Sequence, residues 1–488
     1  MVKTATPSSA VAVFMMYAVF LGTPLMSLTL CILVPLHLCL RFLLLLEVLH
    51  CVYYAFLKTY LNHIQDLQAL VHPRCAYSYT TKSECWKDVV KYASSYGIKD
   101  WVTTWFGRRY AFDTIDSHSF MYWLRYAVFG HKGGPMITTD EERSLRPFLC
   151  LIEKTVGKDF KFPKPRDSAI LKRSNTYGFE AIKSVYHPLW FYAITGALEL
   201  YYQRVALMKL GFAPIDGLVH CLAHHQGCRI ICKHVKGSRP IVFIHGVGAG
   251  LFPYNEIISC ITLLNRTVVL PYIPHISMTH AYETPSNEAI CDLIQLSLAT
   301  VCAAGGRAKV LEVDVVANSF GTCVASTLVG RDREKSTGIR LLCRHLLLLD
   351  PVSVALSSPD LTSRFVYDRR YTTMIDFIVR SEIHIMYSIQ RRFDWMESFI
   401  SPVMAKIDRA TSGDCGKRDM NNQRIGPRIK IKIYVASNDA MIDLPRLTRI
   451  LETCFQPQAE VAIMEDISHG QWIGNEKYIQ MVIKDLSN

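Results

Sequence analysis

The sequence predicts an α/β fold, a mostly parallel sheet flanked by helices and carrying a helical cap, preceded by a helical region and an N-terminal membrane anchor. Three observations predict it. From Arg239 onward, short β-branched runs alternate with helix-period segments, the pattern of parallel strands joined by crossover helices. Residues 58–230 instead carry aromatic segments at helical spacing. At the N-terminus no charged side chain interrupts Ala10 to Leu40, and apolar residues run on to Leu57. The chain therefore divides into an anchor (1–57), a helical region (58–230) and an α/β domain (231–488) with a cap insertion at about 351–430.

With 488 residues, 50% hydrophobic and only 20% charged, the chain is neither mainly disordered nor collagen-like. The formal charge of +12 suits an anionic membrane surface. No basic run is long enough to point to nucleic acid, so the expected partners are the lipid bilayer and an apolar acyl ester substrate, and the sequence does not say which proteins it binds. The 16 cysteines follow no regular framework and read as free thiols facing a reducing compartment.

As one straight helix, the uncharged N-terminal run would extend about 46 Å, well beyond the ~30 Å hydrocarbon core. Pro24 and Pro35 offer breaks, so either a tilted span followed by an interfacial helix or a short hairpin is expected. The run far exceeds the ~7–15 apolar residues of a signal peptide. Lys58 and the basic residues beyond it favour a cytosolic main body by the positive-inside rule. The expected location is an endomembrane, the endoplasmic reticulum or a lipid-droplet surface.

In the middle region, residues 86–96, 119–129 and 187–210 have helical periodicity and are expected to form a layer between anchor and sheet. His220, Cys221, His224, His225, Cys228, Cys232 and His234 are metal-binding residue types. Their spacing is irregular, and residues 229–235 alternate like a strand that puts Cys228, Ile230, Cys232 and His234 on one face. A helix end plus a strand is the expectation here, with no metal and no cofactor.

The C-terminal part concentrates the chemistry. A strand at 241–244 runs into His245-Gly246-Val247-Gly248-Ala249-Gly250. A second at 313–316 runs into Ala317-Asn318-Ser319-Phe320-Gly321, and a helix follows to about Gly330. In a nucleophile elbow the serine sits on a strained strand-to-helix turn, and the positions two before and two after it must be small. Ala317 and Gly321 meet that need around Ser319. Attack on an ester carbonyl creates an oxyanion that preset N–H donors stabilise. Phe320 N–H, just after the nucleophile, and Val247 N–H in the glycine loop are the expected donors, with Gly246 N–H close behind. The loop fits neither the dinucleotide fingerprint nor the Walker pattern.

A serine nucleophile needs a base, and the base an orienting carboxylate. Asp439 follows the strand at 431–435, and His469 follows the strand at 461–464, the places such a chain order requires. Asp350, ending the strand at 346–349, is the alternative acid, and Asp443 a weaker third. Between them, the aromatic residues of the cap, Phe365 to Phe399, are expected to be mostly core, with a minority facing the pocket.

With these motifs in order, residues 230–488 resemble an α/β-hydrolase fold serine hydrolase. Pro240 to Gly248, Pro274 to Met278, Leu349 to Val352 and Arg391 to Trp395 are further similar to membrane-anchored α/β-hydrolase-like proteins of fungi and other microbial eukaryotes. Residues 101–124 and 186–212 extend that resemblance through the helical region. It implies fold and triad but no substrate. Ala317 stands where glycine is usual in the elbow, and Asn318 where histidine is frequent. The expected activity is cleavage of carboxylic esters with apolar acyl groups, lipids among them, through an acyl-enzyme on Ser319. Acyl transfer by the same triad and a non-catalytic membrane scaffold are the alternatives.

Overall fold

The computed structural model describes residues 7–33, 38–71, 79–130, 137–165, 172–214, 227–281, 284–302, 310–330, 340–371, 373–400, 429–454 and 459–487. Its centre is an eight-stranded sheet: β1 (Ala213–Pro214), β2 (Arg229–Lys233), β3 (Ile241–Ile244), β4 (Val268–Tyr272), β5 (Val310–Asn318), β6 (Arg340–Leu349), β7 (Lys430–Ala436) and β8 (Ala459–Met464). The order is β1-β2-β4-β3-β5-β6-β7-β8, with β2 antiparallel to both neighbours and all later pairs parallel. This is the sheet of an α/β-hydrolase fold. Every residue of β3 and β4 is buried, because helices cover both faces of a parallel sheet and leave no polar side.

Two strands outrun the apolar segments that announce them. β5 begins at Val310 and β6 at Arg340, where Glu312, Asp314, Arg344 and His345 interrupt the hydrophobic pattern. Arg344 pairs with Glu312 across the two strands, and Asp314 accepts from the His345 backbone N–H (3.2 Å) and pairs with Arg239 and Arg266 from outside them. β2 has Ile230, Ile231 and Cys232 all buried, so it shows no exposed face, contrary to its alternating sequence. Cys228 and Cys232 are free thiols whose pKa burial pushes up to about 12. His220, Cys221, His224 and His225 lie outside the described residues.

The N-terminal segment is two long helices, α1 (Pro7–Leu33) and α2 (Leu38–Val71), packed against each other. Val11–Ile32 and Leu40–His63 are each long and apolar enough to cross a membrane. Pro24 does not break α1, contrary to the sequence expectation. The helix loses one backbone bond there, and the adjacent Thr23 hydroxyl donates to Val19 O (2.6 Å), the kind of side-chain support that lets proline sit within apolar helices. α1 ends at Leu33 and α2 begins at Leu38; Pro35, the other expected break, lies outside the described residues.

The hairpin is joined to the rest of the protein by a polar stripe on α2. Glu47, His50, Tyr54, Lys58 and Asn62 recur at helical spacing, and all bond to residues 182–189. Lys58 donates to Ser184 O (2.8 Å), and Asn62 accepts from Ile182 N–H (2.8 Å). Glu47 accepts from Leu189 N–H (3.0 Å) at the start of the helix α7 (Leu189–Tyr201), where free N–H groups and the helix dipole favour an anion.

Between hairpin and sheet, α3 (Tyr79–Tyr96), α4 (Ile98–Trp105), α5 (Ser117–Phe129) and α6 (Thr139–Val156) build a layer around Trp86, Trp101, Trp105 and Trp123. They share one core with the cap, and the cap's polar groups lock to them. Trp101 Nε1–H donates to Ser357 O (2.8 Å), and Trp395 Nε1–H donates to Ala127 O (2.8 Å). The described part of the cap consists of short helices, among them Met374–Ser381 and Ile383–Tyr387.

Candidate active site

The turn from β5 into the helix Gly321–Gly330 carries Ser319 at φ 49°, the left-handed conformation of a strained elbow. Its backbone is pinned from below, where Ser319 N–H donates to Leu349 O of β6 (2.9 Å). Close approach explains the small residue two positions on: a Cβ at Gly321 would lie 2.5 Å from both Ile244 O and His245 O. Those atoms are backbone and cannot rotate away. Gly321→Ala is therefore expected to cost about 3 kcal/mol or more, read as a lowered denaturation midpoint; a shift under about 0.5 kcal/mol would contradict this packing.

Ser319 Oγ lies 2.9 Å from His469 Nε2, and His469 Nδ1 lies 2.7 Å from Asp439 Oδ2. Ser319 and His469 are partly accessible, whereas the Asp439 side chain is fully buried. The other carboxylate oxygen of Asp439 accepts from Met441 N–H (2.7 Å) and Ile442 N–H (3.0 Å), which fixes its orientation. In the neutral imidazole Nδ1–H donates to Asp439 Oδ2, so the unprotonated nitrogen is Nε2, which faces the hydroxyl. Burial opposes charging of His469, but Asp439 and then Asp350 outweigh it and push its pKa up to about 9.

Asp350 stands beside this row without bonding the imidazole. Its carboxylate accepts from Ala436 N–H (2.9 Å) and from Gly470 N–H (2.7 Å), so it ties the end of β7 to the loop that carries His469. Burial, reinforced by the nearby Asp439 charge, raises its pKa. Asp443 is further removed: it accepts from Arg446 N–H (3.1 Å) at the start of the helix Leu444–Cys454.

The glycine loop is held by neighbours on three sides. His245 Nε2 accepts from Ile273 N–H (3.0 Å), so the proton sits on Nδ1 and is donated to Gly246 O (2.8 Å). Burial lowers the pKa of this imidazole to about 4, which keeps it neutral in that role. Gly246 N–H donates to the Tyr254 hydroxyl (3.0 Å), which in turn donates to Asn318 Oδ1 (2.8 Å). That occupied amide removes Gly246 from the expected oxyanion donors. Among the described residues, neither Phe320 N–H nor Val247 N–H has a hydrogen-bond partner in the protein.

Two supporting residues escaped the sequence reading. Tyr254 joins the glycine loop to the elbow, and its only sequence signal is a position one turn past the glycines. Glu199 reaches from α7 to accept from Leu251 N–H and Phe252 N–H (both 3.0 Å) just behind the loop. A lone carboxylate in the otherwise apolar run 189–201 was the available signal. A cavity beside Phe320 is bounded by Phe393 together with His275, Asn287, Arg392 and Glu397. Phe393 is the one residue of the cap's aromatic stripe on its wall, while Tyr371, Phe377 and Phe399 are buried core.

Neither a protein-family model nor a curated protein sequence matches the chain. Solved structures do resemble it. A 2-hydroxy-6-oxo-6-phenylhexa-2,4-dienoate hydrolase from Rhodococcus sp. strain RHA1 aligns with TM-score 0.33 and 14% identity, over 54% of this chain and 95% of that one. A Pyrobaculum calidifontis esterase aligns with TM-score 0.37 and 14% identity, over 60% and 90%. A lipase described in Acinetobacter baumannii AYE aligns with TM-score 0.34 and 12% identity, over 61% and 94%.

Proposed function

We propose that this protein is a membrane-anchored serine hydrolase that cleaves carboxylic esters with apolar acyl groups, lipid esters foremost. The observation that carries the proposal is the unbroken row from Ser319 Oγ through His469 to Asp439, with both contacts under 3.0 Å. Ser319 Oγ attacks the ester carbonyl carbon while His469 Nε2 takes its proton. Asp439 holds the imidazole in the required tautomer and stabilises the imidazolium that forms. Phe320 N–H and Val247 N–H receive the charge that develops on the carbonyl oxygen. Collapse breaks the bond to the alcohol, which leaves with the proton from His469. Water, deprotonated by the same imidazole, then attacks the acyl carbon; the bond to Ser319 Oγ breaks, His469 returns the proton to Oγ, and the acid is released.

The apolar substrate class rests on where the hairpin docks. Val13 and Phe20 of α1 pack with Phe191, Tyr192, Met278 and Phe377, and Val247 of the glycine loop packs against this same cluster. The anchor is thus held on the active-site side of the sheet. A hairpin of two crossing helices returns the chain to its starting side, and the net basic charge of the chain supports a cytosolic body on an endomembrane. Full-length protein in phosphatidylcholine vesicles should hydrolyse an embedded long-chain ester faster than a short soluble one. Folded protein that cleaves neither would contradict the proposal.

The same row sets a pH dependence. Neutral imidazole is the form that accepts the serine proton, and that fraction grows as pH rises through the His469 pKa. The kcat/KM profile should therefore climb through neutral pH, with its inflection at about 9, and level off only above it. Because Asp439 is the main group raising that pKa, the inflection should move to lower pH in Asp439→Asn, within whatever activity remains.

A further inference from the structure

We propose that α7 is a third membrane-contacting element, lying in the plane of the bilayer interface beside the α1–α2 hairpin. The inference rests on reading that hairpin as membrane-embedded. α7 is a helix turned inside out. Its inward face carries the polar groups: Glu199 holds the chain behind the glycine loop, Tyr192 donates to Glu382 (2.6 Å), and Thr195 donates to Met278 O (3.0 Å). Over Leu189–Tyr201 its outward face carries no charged side chain, and its polar atoms there are the Trp190 indole N–H and the Tyr201 hydroxyl. The exposed positions of Leu189–Tyr201 are Trp190, Ala193, Ile194, Ala197, Leu198, Leu200 and Tyr201. Ile194 and Leu200 are each 52% exposed, and Tyr201 is 60% exposed. In water such a helix presents its polar face outward; the reverse arrangement calls for an apolar surrounding.

Continuity with the hairpin identifies that surrounding as lipid. Phe20 of α1 packs its ring on Trp190 and Phe191, and Glu47 of α2 caps the first turn of α7, so the three helices form one contiguous surface. α7 continues without a break through the π turn Tyr202–Ala206 to Leu207–Lys209, and its inward Glu199 together with the exposed Arg204 and Lys209 suits it to lying along a bilayer rather than crossing one. Trp190, near its start, and Tyr201 are residue types that settle at head-group level. Arg204 and Lys209 can reach anionic head groups. Glu199 and the outward stripe belong to one helix, so seating it on the bilayer fixes the glycine loop relative to the lipid surface.

Photo-crosslinking in the full-length protein tests this directly. A benzoylphenylalanine replaces Ile194 or Leu198 in vesicles of phosphatidylcholine containing a traceable phosphatidylcholine. Phe14 of α1 and Phe56 of α2, 73% and 67% exposed, report the hairpin. Leu263, 84% exposed near the N-terminal ends of the strands, reports the aqueous side. Positions 194 and 198 should form lipid adducts to within a few-fold of 14 and 56, and at least ~5-fold above 263. Adducts at 14 and 56 with 194 and 198 no higher than 263 would overturn the proposal and leave the hairpin reading standing. Adducts at none of the four would overturn both.

Discussion

In the Ser319→Ala variant, ester hydrolysis is expected to fall by about 10⁴–10⁶-fold, the loss typical of a nucleophile removed from such a row. The fold should survive. Ser319 is only partly buried, its Oγ has His469 Nε2 as partner, and alanine fits the small space of the elbow. Its backbone N–H still meets Leu349 O. Circular dichroism and the denaturation midpoint should therefore stay near wild type while turnover vanishes. Retained turnover would assign the nucleophile elsewhere.

Asp439→Asn should lower kcat by about 10⁴-fold, because an amide that presents N–H₂ to Nδ1 leaves the imidazole in the wrong tautomer. The neighbouring carboxylate supplies the contrast. Asp350 bonds two backbone amides and does not touch the imidazole. In Asp350→Asn, one of those N–H groups would face an N–H₂, a loss of about 1–3 kcal/mol in stability. Its effect on kcat should stay within about tenfold at temperatures where the variant is folded. A reversal, with Asp350→Asn the more damaging to kcat, would transfer the orienting role to the end of β6.

Much of this site was legible in the sequence because each part is local. A small residue two positions before and after Ser319, a strand ahead of it and a helix behind it are constraints that neighbours in the chain impose. Asp439 and His469 each follow a late strand, and the structure brings both into line with Ser319. What could not be read comes from contacts between distant segments. Gly246 looked like an oxyanion donor until Tyr254, eight residues on, was found to occupy its amide. The outer halves of β5 and β6 are charged, and partners across the strands and in distant loops accommodate those charges. Pro24 suggested a break, but an apolar helix with a threonine beside the proline carries straight through. The polar stripe from Glu47 to Asn62 is periodic in the sequence, yet its meaning depends on residues 182–189 lying along it. α7 is apolar along most of its length, and composition alone does not say which of its faces is buried.

The central claim is that Ser319 is an activated nucleophile, and a serine-directed fluorophosphonate applied to the full-length protein tests it most directly. The geometry predicts stoichiometric labelling at neutral to alkaline pH, with the adduct mapped to Ser319 and absent from folded Ser319→Ala and His469→Ala. A folded wild-type protein that stays unlabelled, or a label that persists in Ser319→Ala, would contradict it.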